Sequence, residues 1–292
     1  MSGKPKAVGV LIFTVFFVLI IILLRWFFAK VLFRPSRKHI WRPDGSFTDI
    51  MIDGVHMCHI NNIPDRPTMI HCHGQSNNIS ELRNTVSLAA RMRVNIILFD
   101  YFGYGFSKRN PSQEGLFESS DIVMKYAMKH ARPPFIIWGE SLGGAVAVRL
   151  ASKYNVSHLV LLATFSSLDD IPRTSNRSAL VKIMGRAMPY LVNTLESYKL
   201  ISRVTCPVTI VHSKEDNLIS FVHAEKLLEN ITHEDKKLIP VKGIHPAPQM
   251  TQNELNILYK RCGLGDIAPD CNDILHKIAR WAPICDAEFH TP

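Results

Sequence analysis

The chain has 292 residues, of which 47% are hydrophobic and 20% charged, enough for one large domain with an appendage. Its formal net charge is +9, but residues 1–38 hold seven basic and no acidic residues, which leaves +2 for the other 254. Because the basic residues flank an apolar segment, the charge argues against nucleic-acid binding and for contact with anionic headgroups. The six cysteines show no close metal-type spacing, so the pattern also argues against a structural zinc site.

The chain begins with an apolar segment. Residues 7–24 form an unbroken run of 18 without charge, and apolar character resumes at 26–29. At 1.5 Å per residue, this length spans a bilayer core of roughly 30 Å. A small-x-small cleavage site is not evident. We therefore predict one transmembrane helix over about residues 7–29, within an N-terminal anchor of residues 1–38. A buried soluble helix and a signal peptide are the alternatives.

The anchor predicts a single-pass membrane protein of the endoplasmic reticulum or another endomembrane, with the lipid bilayer as a partner. Its orientation stays open. Basic residues on the far side of the span slightly favour a cytosolic domain. Four glycosylation sequons, at Asn78, Asn155, Asn176 and Asn230, would suit the opposite side. The oligomeric state cannot be read from the sequence.

From residue 43 onward, strand-like and helix-like segments alternate. Strands are expected at 47–52, 55–60, 68–72, 94–99, 135–138, 158–163, 208–212 and 238–241, the first two as a hairpin around Asp53-Gly54. Helices are expected at 80–93, 114–130, 144–153, 224–230 and 252–261. Apolar strands separated by helices predict an α/β fold with a mostly parallel central sheet and helices on both faces.

Two segments depart from this alternation. Residues 165–201 contain no strand-like run, and their basic and apolar residues are interleaved, which predicts a helical cap over the sheet. Contact with lipid and simple cover of the core are both compatible with that pattern. The last 30 residues, 263–292, form a C-terminal tail, in which 272–281 is expected to be helical.

The strongest chemical signal is Gly139-Glu140-Ser141-Leu142-Gly143, between an expected strand and an expected helix. This order is typical of a nucleophile elbow, in which a serine lies on a strained turn and small residues on either side let strand and helix approach. The following helix would direct its first N–H groups at the serine. An inert glycine-rich turn is the alternative.

A serine nucleophile needs a base within hydrogen-bond reach and an acid that orients the base. In the elbow topology the acid and then the histidine follow, each at the end of a later strand. These positions hold Asp216, with Glu215 as its competitor, and His245. His212 and His223 are rivals for the base, but both precede the final strand and are expected to be structural.

The oxyanion hole needs two backbone donors. The N–H after the nucleophile, that of Leu142, is the first. The second is expected in His71-Cys72-His73-Gly74-Gln75, where Gly74 permits close approach and Gln75 supplies the N–H. Two histidines and a cysteine could suggest metal binding, but no third ligand is near in sequence, so we predict no metal site.

The ordered set resembles the α/β-hydrolase fold. It comprises His73-Gly74, the Phe99–Ser107 segment with Asp100-Tyr101-Phe102-Gly103-Tyr104-Gly105, the elbow, Asp216 and His245. More narrowly, the chain is similar to membrane-anchored α/β-hydrolase domain-containing serine hydrolases over roughly residues 47–262, within a domain of 43–262. Relatives of that kind include monoacylglycerol and lysophospholipid lipases and protein depalmitoylating thioesterases. The resemblance implies hydrolysis of an acyl ester or thioester through an acyl-enzyme, without a cofactor.

The chain departs from that family pattern at Phe102, Gln75 and Pro246, which concerns substrate preference and not reaction type. The expected function is a membrane-anchored serine hydrolase that cleaves ester or thioester bonds of lipid-like substrates. A depalmitoylating thioesterase and an inactive binding protein on a hydrolase fold are the alternatives.

Overall fold

The computed structural model describes residues 4–37, 41–43, 47–61, 63–174, 186, 194–245, 249–265 and 281–283. The helices are α1 (Lys4–Leu32), α2 (Arg83–Met92), α3 (Gln113–His130), α4 (Leu142–Lys153), α5 (Asp170–Thr174), α6 (Ser197–Leu200), α7 (Val222–Glu229) and α8 (Gln252–Arg261). Short 3-10 turns cover Ile79–Glu81 and Ile201–Arg203.

The strands are β1 (Trp41–Pro43), β2 (Thr48–Ile52), β3 (Val55–Ile60), β4 (Thr68–Cys72), β5 (Asn95–Phe99), β6 (Phe135–Glu140), β7 (His158–Leu162), β8 (Val208–Ser213), β9 (Lys236–Val241) and β10 (Trp281–Pro283). All eight predicted strands are therefore present, with ends that shift by no more than two residues.

An eight-stranded sheet has the order β2-β3-β5-β4-β6-β7-β8-β9. The hairpin strand β3 is antiparallel to both β2 and β5, and the pairs from β5 through β9 are all parallel. Parallel neighbours require helical crossovers, which the α-helices between these strands provide. As a result, the carboxyl ends of β4, β6, β8 and β9 lie along one edge of the sheet.

The core lies on both faces of this sheet. Along β6, Ile137 packs in a cluster with α3, α4 and α7, whereas Ile136 and Trp138 pack in a second cluster with α2 and α8. This alternation follows from the two-residue period of a strand. Burial on both faces explains why the central strands are continuous apolar runs. Cys58, Cys72 and Cys206 are buried free thiols.

One predicted helix is divided. The sequence predicts a single helix over 80–93, but the structure has a 3-10 turn at Ile79–Glu81 and then α2 from Arg83. Asn78 and Glu81 cause the separation, since Asn78 accepts from the N–H of Ser80 and Glu81 accepts from the N–H of Asn78. This capping box starts a turn before the amphipathic pattern begins.

The two ends of the chain differ from expectation. The transmembrane helix predicted over about residues 7–29 is not supported, because no helix among the described residues is long and apolar enough to cross a bilayer. In the tail, Trp281 does not end a helix: Trp281–Pro283 pairs antiparallel with Trp41–Pro43. That pairing joins segments far apart in sequence, so a local pattern could not reveal it. The rest of the predicted tail helix, and residues 175–185 and 187–193 of the predicted cap, lie outside the described residues.

Candidate active site

Ser141 lies on a strained turn between β6 and α4. Its backbone has φ +51° and ψ −116°, which is rare for a residue with a side chain. Gly139 pairs with Cys72 of β4 and Leu161 of β7. At Gly143 any side chain would overlap the carbonyl oxygen of Cys72. The small residues thus let α4 begin directly against the end of β4, with Ser141 half-buried at the sheet edge.

The three predicted triad residues come together. The Oγ atom of Ser141 lies 3.2 Å from Nε2 of His245, and Nδ1 of His245 lies 2.9 Å from Oδ2 of Asp216. Ser141 follows β6, Asp216 follows β8 and His245 follows β9, so the parallel sheet brings together residues 104 positions apart. Both ring nitrogens of His245 are engaged, one by a hydroxyl and one by a carboxylate.

Asp216 is buried in a set of hydrogen-bond donors. Its side chain is 1% exposed, and its Oδ1 accepts from the N–H groups of Leu218 at 2.9 Å and Ile219 at 2.8 Å. Burial alone would raise the pKa of Asp216. The hydrogen bonds from His245 and from the two amides outweigh that cost and hold its pKa below the ordinary value. An ionised Asp216 keeps a proton on Nδ1 of His245 and leaves Nε2 free to accept one.

Glu215, the competitor for the acid, contacts the same loop in a different way. Its Oε2 accepts from the N–H of Gly243 at 3.0 Å, and Gly243 lies two residues before His245. Glu215 therefore binds the backbone of the loop that carries the base, while Asp216 binds the imidazole. The structure assigns the two adjacent carboxylates to different atoms of one loop.

His212 and His223 do not contact Ser141 in the described structure. His212 donates from Nε2 to the carbonyl of Ile219 at 2.9 Å and lies 3.6 Å from Asp216. His223 accepts at Nδ1 from the N–H of Ser166, which requires that this nitrogen be unprotonated. Burial lowers the pKa of both rings. Both histidines serve the packing around the site, as expected from the sequence.

The loop after β4 passes beside the nucleophile. A β-carbon added at Gly74 would lie 3.8 Å from Cβ of Ser141, and Leu142, the first residue of α4, follows Ser141 directly. The expected oxyanion donors, on Leu142 and Gln75, therefore belong to two segments that meet at Ser141. The side-chain amide of Gln75 donates to the carbonyl of Leu32, at the end of α1.

The histidines of this loop have no metal-like arrangement. Burial lowers the pKa of His71 to about 3, and His73 donates from Nδ1 to the carbonyl of Gly74 at 2.8 Å. Potential metal ligands do cluster elsewhere, at Asp49, His56 and Cys58. However, both ring nitrogens of His56 lie against carboxylates, that of Asp49 at 2.6 Å and that of Asp100 at 2.9 Å.

Burial opposes the charged form of His56, but the two carboxylates outweigh it and raise the pKa of His56 to about 12. An imidazole that is protonated on both nitrogens has no lone pair for a metal. The cluster is better described as an ion-paired histidine. Its partner Asp100 also accepts from the N–H groups of Ile79 and Phe106, so it fixes the loops on both sides of the site.

The sequence did not reveal the roles of two residues that support the site. Thr164 donates from Oγ1 to the carbonyl of Ser141 at 2.7 Å, and Tyr101 donates its hydroxyl to the carbonyl of His73 at 3.0 Å. Both hold the backbone around the nucleophile. Thr164 follows the strand next to the elbow, and Tyr101 lies in the glycine-containing segment after β5. Their positions at carboxyl ends of strands were the available signal.

Comparison with known proteins gives one family. The pattern described as the alpha/beta hydrolase fold matches residues 67–199. An uncharacterised protein of Acanthamoeba polyphaga mimivirus, R595, is 29% identical over 245 residues, which cover 76% of this chain and 81% of the viral one. Alpha/beta hydrolase domain-containing protein 17B of Xenopus laevis is 28% identical over 166 residues, 56% of this chain and 54% of the frog protein. The match thus spans about half the length of that relative.

Solved structures share the fold at low sequence identity. The Pyrococcus furiosus esterase Pf2001 aligns with a TM-score of 0.60 and 14% identity, over 85% of this chain and 98% of the esterase. A monoacylglycerol lipase of Paleococcus ferrophilus aligns with a TM-score of 0.55 and 16% identity, over 72% of this chain and 99% of the lipase. At such identities the likeness concerns the fold alone.

Proposed function

We propose that this chain, which belongs to the α/β-hydrolase superfamily, is a serine hydrolase that cleaves acyl esters or thioesters through an acyl-enzyme. One observation carries the proposal: Ser141, His245 and Asp216 are joined by contacts of 3.2 and 2.9 Å in the order that nucleophilic catalysis requires. No metal or organic cofactor enters the reaction.

In this reaction Oγ of Ser141 attacks the acyl carbonyl while Nε2 of His245 accepts its proton. The same nitrogen then gives the proton to the leaving alcohol or thiol. Water, activated by His245, hydrolyses the acyl-enzyme in the second half. Asp216, which stays ionised, orients the imidazole and stabilises its protonated form.

The N–H groups of Leu142 and Gln75 stabilise the oxyanion. The first is placed by the turn that strains Ser141, and the second by the loop after β4, which passes beside Ser141 at Gly74. Both donors are backbone groups, so substitutions at these positions would act through loop geometry.

The proposed substrates are lipid-like, such as a monoacylglycerol or a lysophospholipid. Apolar side chains stand exposed beside the triad, Leu218 at 40% and Ile244 at 61%, next to Asp216 and His245. The apolar residues of α1 between 11 and 24, except Ile21, are also exposed. Such surfaces are costly in water and favour contact with acyl chains. Together with the uncharged run at 7–24, these surfaces make the bilayer of an endomembrane the proposed partner.

Labelling with a fluorophosphonate probe tests the hydrolase assignment. The wild type should be labelled covalently, Ser141→Ala should not, and Ser202→Ala should be labelled like the wild type. Ser202 is the matched control because it is exposed and its hydroxyl donates only to the nearby carbonyl of Lys199 among its recorded contacts. Equal labelling of Ser141→Ala, in correctly folded protein, would refute the assignment.

Substrate class needs a separate measurement. Hydrolysis of a monoacylglycerol, a lysophospholipid, an acyl-thioester and a short water-soluble ester should be compared, each against Ser141→Ala. We expect a long-chain substrate to give the highest kcat/KM. A preference for the short ester would remove the lipid part of the proposal and leave the hydrolase part standing.

A further inference from the structure

The segment that joins α1 to the catalytic domain lies against the site. Residues Leu32–Arg37, here called the strap, run from the end of α1 across the loops at the sheet edge. Phe33 is 7% exposed and belongs to the core cluster that contains α3 and α4. The strap is therefore packed into the domain and does not merely connect it to the helix.

The strap bonds the loop that carries the expected oxyanion donor. This oxyanion loop comprises residues 74–78. At its start the Gln75 amide donates to the carbonyl of Leu32. At its end the Asn78 amide donates to Ser36, to the carbonyl at 3.2 Å and to Oγ at 3.3 Å. Asn78 is 1% exposed, and its Oδ1 accepts from Ser80, so its amide orientation is fixed.

The strap also bonds the glycine loop, residues 103–109. The N–H of Gly105 donates to the carbonyl of Ser36 at 2.9 Å. Arg37 donates from Nε to the carbonyl of Gly103 at 3.2 Å. One carbonyl, that of Ser36, thus accepts from both loops. Movement of the strap would therefore displace the oxyanion loop relative to the other loops at the carboxyl edge of the sheet.

We infer that the strap is a positioning element for the oxyanion loop, and that the Gln75 side chain is the positioning residue through which it acts. The inference rests on the proposed function. Oxyanion stabilisation depends on a donor fixed before the reaction begins. The strap meets this loop at both ends, through Gln75 and through Asn78. The side chain that bonds Leu32 and the expected donor N–H both belong to Gln75.

Gln75→Met tests the contact directly. Methionine keeps the backbone N–H and the side-chain length but cannot donate to the Leu32 carbonyl. Loss of an oxyanion donor lowers kcat by about 100-fold or more, so a donor that is present but less well held should lower it by about ten-fold. The full-length protein in detergent, with p-nitrophenyl butyrate, should show that fall in kcat with KM and melting temperature nearly unchanged.

Arg66→Met is the matched control. Arg66 also donates from its side chain to a backbone carbonyl, that of Arg93 at 2.8 Å, but on the face near α2 and away from Ser141. Its loss should leave kcat at the wild-type value. An unchanged kcat in Gln75→Met would overturn the inference, as would a fall in kcat matched by Arg66→Met.

A double-mutant cycle separates positioning from general stability. Phe33→Ala loosens the strap without touching the oxyanion loop residues. It should lower kcat in the wild-type background and have a smaller effect in Gln75→Met, because the contact between Gln75 and Leu32 is then already lost. Equal effects in the two backgrounds, or none in the wild type, would overturn the inference.

The two proposals fail in different ways. If the wild type neither hydrolyses esters nor reacts with fluorophosphonate, the proposed function is wrong and the positioning role falls with it. If the wild type is active and Gln75→Met equals it, the hydrolase assignment stands and only the role of the strap is lost.

Discussion

Glu215 and Asp216 are adjacent acids after the same strand, and at the scale of single residues they differ in what they bind. Spacing alone left them as competitors. The turn after β8 directs the carboxylate of Asp216 inward, where it is 1% exposed and meets His245. Glu215 stays at the surface and binds the N–H of Gly243. The two adjacent acids therefore bind different atoms of the loop that carries His245. Asp216 binds the imidazole, and Glu215 binds the N–H of Gly243.

Asp216→Asn should lower kcat about 10⁴-fold, because an amide cannot hold His245 in the tautomer that accepts the serine proton. Glu215→Gln should lower it by no more than a few-fold, because a glutamine oxygen still accepts from Gly243. Steady-state hydrolysis of p-nitrophenyl butyrate measures both. Similar losses in the two variants would contradict the assignment of the acid.

His56→Phe should reduce the free energy of unfolding by about 3–5 kcal/mol, because it leaves the buried Asp100 carboxylate without its cationic partner. Asp100 is 1% exposed, so solvent cannot replace that partner.

The matched control is His59→Phe on the same strand. His59 is also buried, but its Nδ1 bonds the neutral hydroxyl of Tyr126. Loss of that bond should cost about 1 kcal/mol. Urea denaturation of the wild type, His56→Phe and His59→Phe measures the two losses of unfolding free energy. Equal losses would show that the His56–Asp100 ion pair stabilises the fold no more than the hydrogen bond of His59 does.

At the scale of elements, the elbow depends on how closely α4 approaches β4. Gly143 lies in the first turn of α4, against the carbonyl of Cys72, and the backbone cannot retreat because Cys72 pairs with Gly139. The pattern at residues 139–143 therefore serves two purposes: it forms the turn at Ser141, and it allows the close approach of α4 to β4. The strand bounds were predictable to within two residues because the apolar runs of the strands are buried on both faces of the sheet, whereas the helix expected at 80–93 begins only at Arg83.

Gly143→Ala should destabilise the protein by at least about 3 kcal/mol, the upper end of ordinary overpacking, since the new methyl group meets backbone and not a movable side chain. Gly74→Ala is the comparison: its methyl group would meet only ordinary contacts, at 3.8 Å or more. We expect Gly74→Ala to fold like the wild type. Circular dichroism during thermal unfolding would decide, and equal melting temperatures would contradict the packing argument.

At the scale of the whole molecule, buried histidines of opposite character set the response to pH. Burial lowers the pKa of His158 and of His223 to about 4, whereas ion pairing raises that of His56 to about 12. Nε2 of His158 lies 2.9 Å from the hydroxyl of Thr209, which also accepts from Arg261. These three histidines lie on different strands and helices, so the pH dependence of unfolding that they produce is a property of the whole domain.

The free energy of unfolding should rise between about pH 4 and pH 6.5, because there the unfolded chain holds protons on residues 158 and 223 that the folded chain does not. Each histidine contributes up to about 1.4 kcal/mol per pH unit. The contribution of His56 has the opposite sign: it is complete below pH 6.5 and is lost as pH rises towards 12. Stability should therefore be greatest near pH 6.5.

Urea midpoints across pH 4–9 test this profile. His158→Gln should reduce the slope on the acid side and leave the alkaline side unchanged. A flat profile between pH 4 and 6.5 would show that the buried rings are protonated in the folded protein.

The sequence by itself determined the order of the strands and most of the helices, the elbow with Ser141, the position of His245, and the adjacent acids Glu215 and Asp216, because each follows from a local pattern or from a fixed chain order. Only the tertiary structure decided which acid meets the imidazole, that His56 pairs with Asp49 and Asp100, that Trp281–Pro283 forms a strand, and that the strap reaches Gln75. These contacts join residues as much as 242 positions apart, as in the pairing of Trp41–Pro43 with the tail. Periodicity reports how one segment divides between core and solvent, but which distant segments meet depends on the packing of the whole chain.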